Sequence, residues 1–155
     1  MEIGSLLEED RVLWHLPARS KKRALEALAE ILSHASADLT PEEIFDILIN
    51  RERLGSTGLG SGVAIPHGRV SGLEAPVGAF ASLEQPIDFG SVDNEPVDLL
   101  FALLVPEEDP DAHLALLASL ARMFSDPVFT GELRKGRTPG ELFRLLSSEG
   151  GRTPA

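Results

Sequence analysis

The sequence has no cysteine and comparatively little basic charge, and both absences restrict what it can do. Without cysteine there are no disulfides, thiolate metal sites or cysteine nucleophiles, which fits a cytoplasmic protein. The 14 Lys and Arg residues stand against 25 Asp and Glu residues, so the formal net charge is −11. We therefore expect no nucleic-acid partner, because nucleic acids bind to broad basic surfaces.

Long apolar runs are lacking too. The apolar run at residues 99–105 is too short to cross a bilayer, so we expect a protein that does not span the membrane. Residues 1–5 have no basic stretch followed by an apolar one, so we expect no signal peptide. No Lys or Arg lies between Arg69 and Arg122, where acidic residues are frequent. That stretch is either a solvated acidic face or a docking surface for a basic partner.

Helical spacing and capping signals predict several helices. They cover residues 20–35, 41–53, 110–124 and 138–147, and a short one begins at Pro127. Thr40, Pro41 and Glu43 form a predicted capping box for the second helix. In the helix over residues 110–124, the predicted core-facing residues are Leu114, Leu117, Leu120 and Ala121.

Apolar runs bounded by proline and glycine predict strands. They cover residues 63–65, 77–83, 87–89 and 97–105. This order of elements predicts one α/β domain with helices packed on a mixed sheet. We expect residues 1–19 to form an N-terminal arm packed on that domain, residues 20–149 to form the domain itself, and residues 150–155 to be a flexible tail.

A glycine-rich segment, residues 51–68, contains the candidate binding groups. Gly58 and Gly60 allow main-chain N–H groups to point at an anion, because glycine tolerates positive φ and close approach. Ser56 and Thr57 add hydroxyl donors, and Arg51 adds a cation suited to phosphate. The segment matches neither a P-loop nor a dinucleotide fingerprint, so it predicts a phosphate cradle rather than a nucleotide site.

Two histidines are candidates for chemistry. His67 follows Pro66 and precedes Gly68, so it is well placed to be presented at a surface as a nucleophile. His113 lies at the start of the helix over residues 110–124. It is either a surface histidine beside acidic residues or a second imidazole that reaches His67. The four histidines of the chain lack short ligand spacing, so we expect no metal site.

Residues 51–68 also resemble a known family. Their Gly-Ser-Thr-Gly and Ile-Pro-His-Gly strings resemble the signature of the IIA domains of the phosphoenolpyruvate-dependent phosphotransferase system, fructose/mannitol/nitrogen type. Residues 20–26 are similar to the first helix of such domains and residues 93–106 to their long core strand. His113-Leu114 is similar to their second histidine at a helix start. The resemblance covers residues 3–147 and is closest for the nitrogen-regulatory branch.

The resemblance implies a fold and a reaction. The fold is a three-layer α/β/α sandwich with a mixed, mostly buried sheet. His67 is expected to accept a phosphoryl group at Nε2 from a phosphorylated HPr-like carrier, which makes the protein a phosphotransferase component without metal or other cofactor. Arg51 is expected to neutralise the phosphoryl charge, and His113 to favour the phosphorylated state. Ser56 and Thr57 are expected to bond phosphoryl oxygens or to orient the ring.

Three functions remain open at this point. The first is a regulatory protein of the nitrogen branch, whose phosphorylation state sets its binding to targets such as kinases or ion transporters. The second is a sugar-branch (fructose/mannitol) component that passes the phosphoryl group to a transporter IIB domain. The third is a binding module that is never phosphorylated. Many family members are fused to membrane-spanning or carrier domains; this sequence has neither, which favours regulation.

Overall fold

The computed structural model describes residues 3–150. Within them the strands are β1 (Val12–Leu16), β2 (Gly58–Gly60), β3 (Val63–Ala64), β4 (His67–Val70), β5 (Val77–Ile87) and β6 (Val97–Pro106). The helices are α1 (Lys21–Leu32), α2 (Pro41–Arg53), α3 (Pro110–Phe124), α4 (Pro127–Lys135) and α5 (Pro139–Gly150), with short 3₁₀ turns at Ile3–Leu6, Glu9–Arg11 and Ser33–Ala35. No helix in this part of the chain is long and apolar enough to span a membrane.

The sheet is mixed and is built around β6. On one side β6 pairs antiparallel with β5, and β1 lies parallel to β5 at the edge. On the other side β3 and β4 both run parallel to β6, one after the other, and β2 extends the sheet beyond β3. The chain between β3 and β4 is Ile65-Pro66, so β4 begins at His67, opposite Leu103.

Both faces of the sheet are covered. Alternate residues of β5 and β6 point to opposite faces, as strand geometry requires. Small residues of β5 and β6 pack under α1 and α2, and phenylalanines pack under the C-terminal helices. The first core contains Leu25, Leu28, Ile44, Leu48, Ala79, Ala81 and Ala102, and the second contains Phe80, Phe101, Leu116, Leu120, Phe124, Leu142 and Leu146. The predicted three-layer sandwich is confirmed.

Local signals account for the helix ends. The Thr40 side chain accepts from the Glu43 N–H, and the Glu43 side chain accepts from the Thr40 N–H, so the predicted capping box is formed. Ser20 caps α1 by accepting from the Arg23 N–H, and Asp109 caps α3 by accepting from the Ala112 N–H. Each cap satisfies an N–H that the first helical turn leaves without a partner.

The strand prediction was wrong in several places. Residues 77–83 and 87–89 do not form two strands, because β5 runs on to Ile87 with an irregular register before its end. The short strands β2 and β4 and the edge strand β1 were not predicted. Strands β1 and β4 are defined by hydrogen bonds to strands distant in sequence, a signal that the local pattern does not contain. Strand β2 is only three residues long and pairs with the neighbouring β3.

The helix prediction was wrong in two details. The face of α3 that meets the core contains His113, Leu116, Leu120 and Phe124, whereas Leu114 is 62% exposed. The predicted face was therefore rotated, because α3 has apolar residues on more than one side. Helix α5 continues to Gly150 rather than ending at Ser147. Of the predicted flexible tail, residues 151–155 lie outside the described part of the chain.

Candidate functional site

A cleft of about 350 Å³ lies where the end of α2, the segment after it, the start of β4 and one side of α3 meet. Arg51, Ser56, Thr57, Gly58 and His67 all line it. The structure therefore brings together most of the side chains selected from the sequence. The opposite wall is formed by the apolar side of α3, through Leu117, Ala118 and Ala121.

His67 is held in one orientation by its neighbour in the chain. Its Nδ1 lies 2.8 Å from the carbonyl oxygen of Ile65. Because a carbonyl can only accept, this contact assigns the proton to Nδ1 and leaves the lone pair of the neutral ring on Nε2. Pro66 has no N–H, and its fixed φ helps to turn the chain so that the ring reaches back to Ile65.

The pKa of His67 lies below its ordinary value. Burial is the largest cause, and the positive charges of Arg51 and Arg69 lower it further, while the bond to Ile65 and the charge of Glu52 act in the opposite direction. A histidine with a lowered pKa is mainly neutral near pH 7. The ring is therefore in the form that can act as a nucleophile.

His113 lies beside His67, in the first turn of α3. The centroids of the two rings are 5.5 Å apart and the rings meet edge to face at 68°. His113 is 6% exposed, and among the described residues neither ring nitrogen has a hydrogen-bond partner. Burial and the neighbouring His67 lower the pKa of His113. A buried imidazole without hydrogen-bond partners costs free energy. A polar group bound near the two rings would give His113 the partner that it lacks.

Two arginines supply positive charge. Arg51, near the end of α2, donates one N–H from Nη1 to the carbonyl oxygen of Gly55 at 2.9 Å. Within residues 3–150 the other guanidinium N–H groups of Arg51 have no hydrogen bond, so they can meet an anion in the cleft. Arg69 is exposed on β4, two residues after His67, and its charge acts on both histidines. Arg69 was not selected from the sequence.

The predicted phosphate-binding hydroxyls are engaged within the protein. Ser56 Oγ donates to the carbonyl oxygen of Phe89 at 2.8 Å and accepts from the Gly58 N–H at 3.1 Å. Thr57 Oγ1 donates to Glu52, and the Thr57 N–H donates to the same carboxylate. Gly60 does not line the cleft. It is the last residue of β2, with φ +95°, and a side chain there would approach Asp93.

Glu52 and its partner Lys21 were missed by the sequence analysis. The Glu52 side chain is 2% exposed, and its carboxylate forms an ion pair with Lys21 Nζ at 2.9 Å. A signal for Glu52 was present, because Ile44, Leu48 and Glu52 follow at intervals of four and share the buried face of α2. A charge at a core-facing position indicates a partner. Nothing local indicated that the partner is Lys21.

The remaining histidines lie away from the cleft. The His15 ring stacks on Trp14 with centroids 4.0 Å apart, and His34 is exposed in the turn after α1. Across residues 3–150 no three or more His, Asp and Glu side chains are grouped so that they could hold a metal ion.

Comparisons with known proteins show which family and which solved structures this chain is similar to. Residues 5–149 match the family described as "Phosphoenolpyruvate-dependent sugar phosphotransferase system, EIIA 2". The "Nitrogen regulatory protein" of Escherichia coli K12 is 39% identical over 152 residues, which is 97% of this chain and 93% of that protein. The protein of the same description from Pseudomonas aeruginosa is 40% identical over 146 residues, 94% of this chain and 95% of that protein. The crystal structure of nitrogen regulatory protein IIA-Ntr from Neisseria meningitidis superimposes with a TM-score of 0.87 at 39% identity, covering 93% of this chain and 98% of that one.

Proposed function

Because this chain belongs to the phosphoenolpyruvate-dependent sugar phosphotransferase system EIIA 2 family, we propose that it accepts a phosphoryl group on His67 and works as a regulatory IIA protein of the nitrogen type. The donor is a phosphorylated HPr-like carrier. The observation that carries the proposal is the contact between His67 Nδ1 and the Ile65 carbonyl, since it leaves the Nε2 lone pair available.

The reaction follows from the groups in the cleft. The lone pair of His67 Nε2 attacks the phosphorus atom. The bond between phosphorus and the carrier breaks, and its electron pair leaves with the carrier. Arg51 meets the charge of the transferring group with its free N–H groups, as a guanidinium suits phosphoryl oxygens. His113 is a polar neighbour for the phosphoryl group. In return, the phosphoryl group gives the buried His113 ring a partner that it otherwise lacks.

The regulatory part of the proposal rests on the relatives. Two proteins that match this chain over nearly their full length, at 39% and 40% identity, are described as nitrogen regulatory proteins. Phosphorylation adds negative charge to a cleft bordered by apolar side chains such as Leu59 and Leu117. Targets such as kinases or ion transporters then distinguish the two states by that charge.

The test is phosphorylation of the purified protein. It is incubated with phosphoenolpyruvate, enzyme I and an HPr-like carrier, and its intact mass is measured. We expect the gain of one acid-labile phosphoryl group in the wild type and none in His67→Ala. His34→Ala is the matched control, because His34 is exposed and lies in a turn. If the wild type gains no phosphoryl group from several competent carriers, the proposal fails and the protein is a binding module that is not phosphorylated.

A further inference from the structure

A charged pair lies directly beneath the cleft and is not explained by the acceptor chemistry alone. Lys21, the first residue of α1, reaches Glu52, the penultimate residue of α2, at 2.9 Å. A cation in the first turn of a helix is disfavoured by the helix dipole, and α1 has no acidic residue there to offset it. Lys22 and Arg23, next to Lys21, are exposed. Lys21 alone of the three turns inward.

The carboxylate of Glu52 holds the segment that follows α2. Its Oε1 accepts from the Thr57 N–H at 3.1 Å, and its Oε2 accepts from the Thr57 hydroxyl. Arg51 and Glu52 are consecutive, so the last turn of α2 presents a guanidinium to the cleft and a carboxylate to the interior. The C-terminal end of α2 therefore positions both the guanidinium of Arg51 and the segment at Thr57.

The ammonium of Lys21 holds the same segment from the other side. Lys21 Nζ donates to the Phe89 carbonyl at 3.2 Å and lies 4.4 Å from the centre of the Phe89 ring. The same carbonyl accepts from Ser56 Oγ, which itself accepts from the Gly58 N–H. The ion pair is therefore connected to three consecutive residues of the cleft, Ser56, Thr57 and Gly58.

The charge of the pair matters as much as its shape. A carboxylate next to an anion site repels the incoming anion unless a cation offsets it. The charge of Glu52 acts on His67, so its field reaches the acceptor. Lys21 offsets this charge while leaving both carboxylate oxygens bonded to Thr57. The two partners are thus expected to act differently when each is removed.

We propose that Lys21 and Glu52 are positioning residues that hold Ser56, Thr57 and Gly58 in place in the cleft that His67 also lines, and that Lys21 offsets the negative charge of Glu52 there, an inference that rests on the function proposed above. Glu52→Gln removes the charge and leaves one acceptor oxygen for the two bonds that Thr57 donates, so the segment is held less firmly. Lys21→Met removes the cation and leaves the buried carboxylate without its partner, so it is the more damaging change for an incoming phosphoryl group.

The experiment measures single-turnover phosphorylation against the concentration of phosphorylated carrier. We expect the maximal rate to fall about tenfold in Glu52→Gln and about a hundredfold in Lys21→Met, as misplacement of catalytic groups generally causes. The half-saturating carrier concentration is expected to stay unchanged, because neither Lys21 nor Glu52 lines the cleft that the carrier would approach. Lys22→Met removes the same charge one residue away, and we expect it to behave as the wild type.

A structural readout separates this inference from the proposed function. The Thr57 amide resonance and its hydrogen exchange are followed by NMR in wild type, Glu52→Gln and the double variant Lys21→Met/Glu52→Gln. The double variant has no buried net charge, so it keeps the inference testable if a single variant does not fold. We expect Thr57 exchange to accelerate in both variants and transfer to stay slow.

Several outcomes would overturn the inference. Wild-type maximal rates in folded Glu52→Gln and Lys21→Met would do so, and so would a change confined to the half-saturating concentration. Loss of rate in proportion to the unfolded fraction would reduce the pair to a stabilising contact. If the wild type accepts no phosphoryl group, the proposed function fails, and Thr57 exchange still decides whether the pair orders this segment.

Discussion

At the scale of single residues, the ring of His67 is committed to one tautomer by the carbonyl of the residue two positions before it. The bond from Nδ1 to Ile65 fixes the ring plane and places the lone pair at Nε2. The flanking Pro66 and Gly68 contribute opposite properties, a fixed φ and a missing side chain. The ring of His67 is therefore oriented mainly by its own short segment, and the charges that shift its pKa come from elsewhere.

Arg51 is expected to tune His67 as well as to meet the phosphoryl group. Its charge lowers the pKa of His67, so Arg51→Ala should raise that pKa toward the ordinary value. Because only the neutral ring accepts, phosphorylation falls as the pH drops through the His67 pKa, and in Arg51→Ala this fall should begin at a higher pH. The transfer rate at neutral pH should drop about a hundredfold, as expected when an oxyanion-binding group is lost.

Arg53→Ala is the matched control for this prediction. Arg53 is exposed on the same helix end and bonds Asn50 rather than the loop. NMR titration of the His67 ring and the phosphorylation rate against pH provide the two measurements. An unshifted His67 titration together with an unchanged rate in Arg51→Ala would remove Arg51 from the site.

At the scale of elements, the site depends on the close packing of α2 on β4. Gly68 is the second residue of β4, and a methyl group at that position would lie 2.2 Å from Ile47 Cγ2 on α2. Only a residue without a side chain allows α2 to lie so near the strand that begins with His67. This packing keeps the C-terminal turn of α2, with Arg51 and Glu52, close to His67.

Gly68→Ala is expected to displace α2 and to reduce the free energy of unfolding by about 1–3 kcal/mol, the usual cost of overpacking. Ile47→Ala removes the overlapping methyl. The double variant should therefore lose less unfolding free energy than the sum of the losses in the two single variants. Gly131→Ala in α4 is the control, because an added methyl there meets no atom within 4 Å. Urea unfolding is measured for the wild type and for all four variants, and strict additivity would argue against the contact.

The part of this fold that could be predicted is the part encoded locally. Thr40 with Glu43, and Asp109 with Pro110, mark helix starts within a few residues, and these starts are found in the structure. The strand at His67 could not be predicted, because it is defined by pairing with β6 from Leu103 onward. The partner of Glu52 could not be predicted either, because Lys21 is brought to it only when α1 packs beside α2.

At the scale of the whole molecule, two separate cores share one sheet. Residues such as Leu28 pack on the face covered by α1 and α2, and residues such as Leu120 pack on the face covered by α3, α4 and α5. Strands β5 and β6 contribute alternate side chains to both cores. If one core unfolds and these strands with it, the other core loses the sheet on which it packs. The two layers of helices should therefore unfold together.

Leu28→Ala and Leu120→Ala are each expected to reduce the free energy of unfolding by about 2–5 kcal/mol, as for other buried leucines. Both side chains are 0% exposed, so they form a matched pair on opposite faces. The single tryptophan, Trp14, reports on the edge of the sheet, where its Nε1 donates to the Gly136 carbonyl at 2.7 Å. Coincident transitions by Trp14 fluorescence and far-UV circular dichroism are expected in both variants, and separated transitions would show independent cores.

The pairing of β4 with β6 has a consequence for how the proposed modification is read by other proteins. His67 is opposite Leu103, and the preceding Pro66 carbonyl accepts from the Leu103 N–H at 2.9 Å, so His67 is anchored to the central strand. Because His67 is anchored in this way, we expect phosphorylation to add charge to the cleft without displacing β4. The field of that charge has a short range, about 8 Å at physiological ionic strength. Only a partner that binds over the cleft can therefore distinguish the two states.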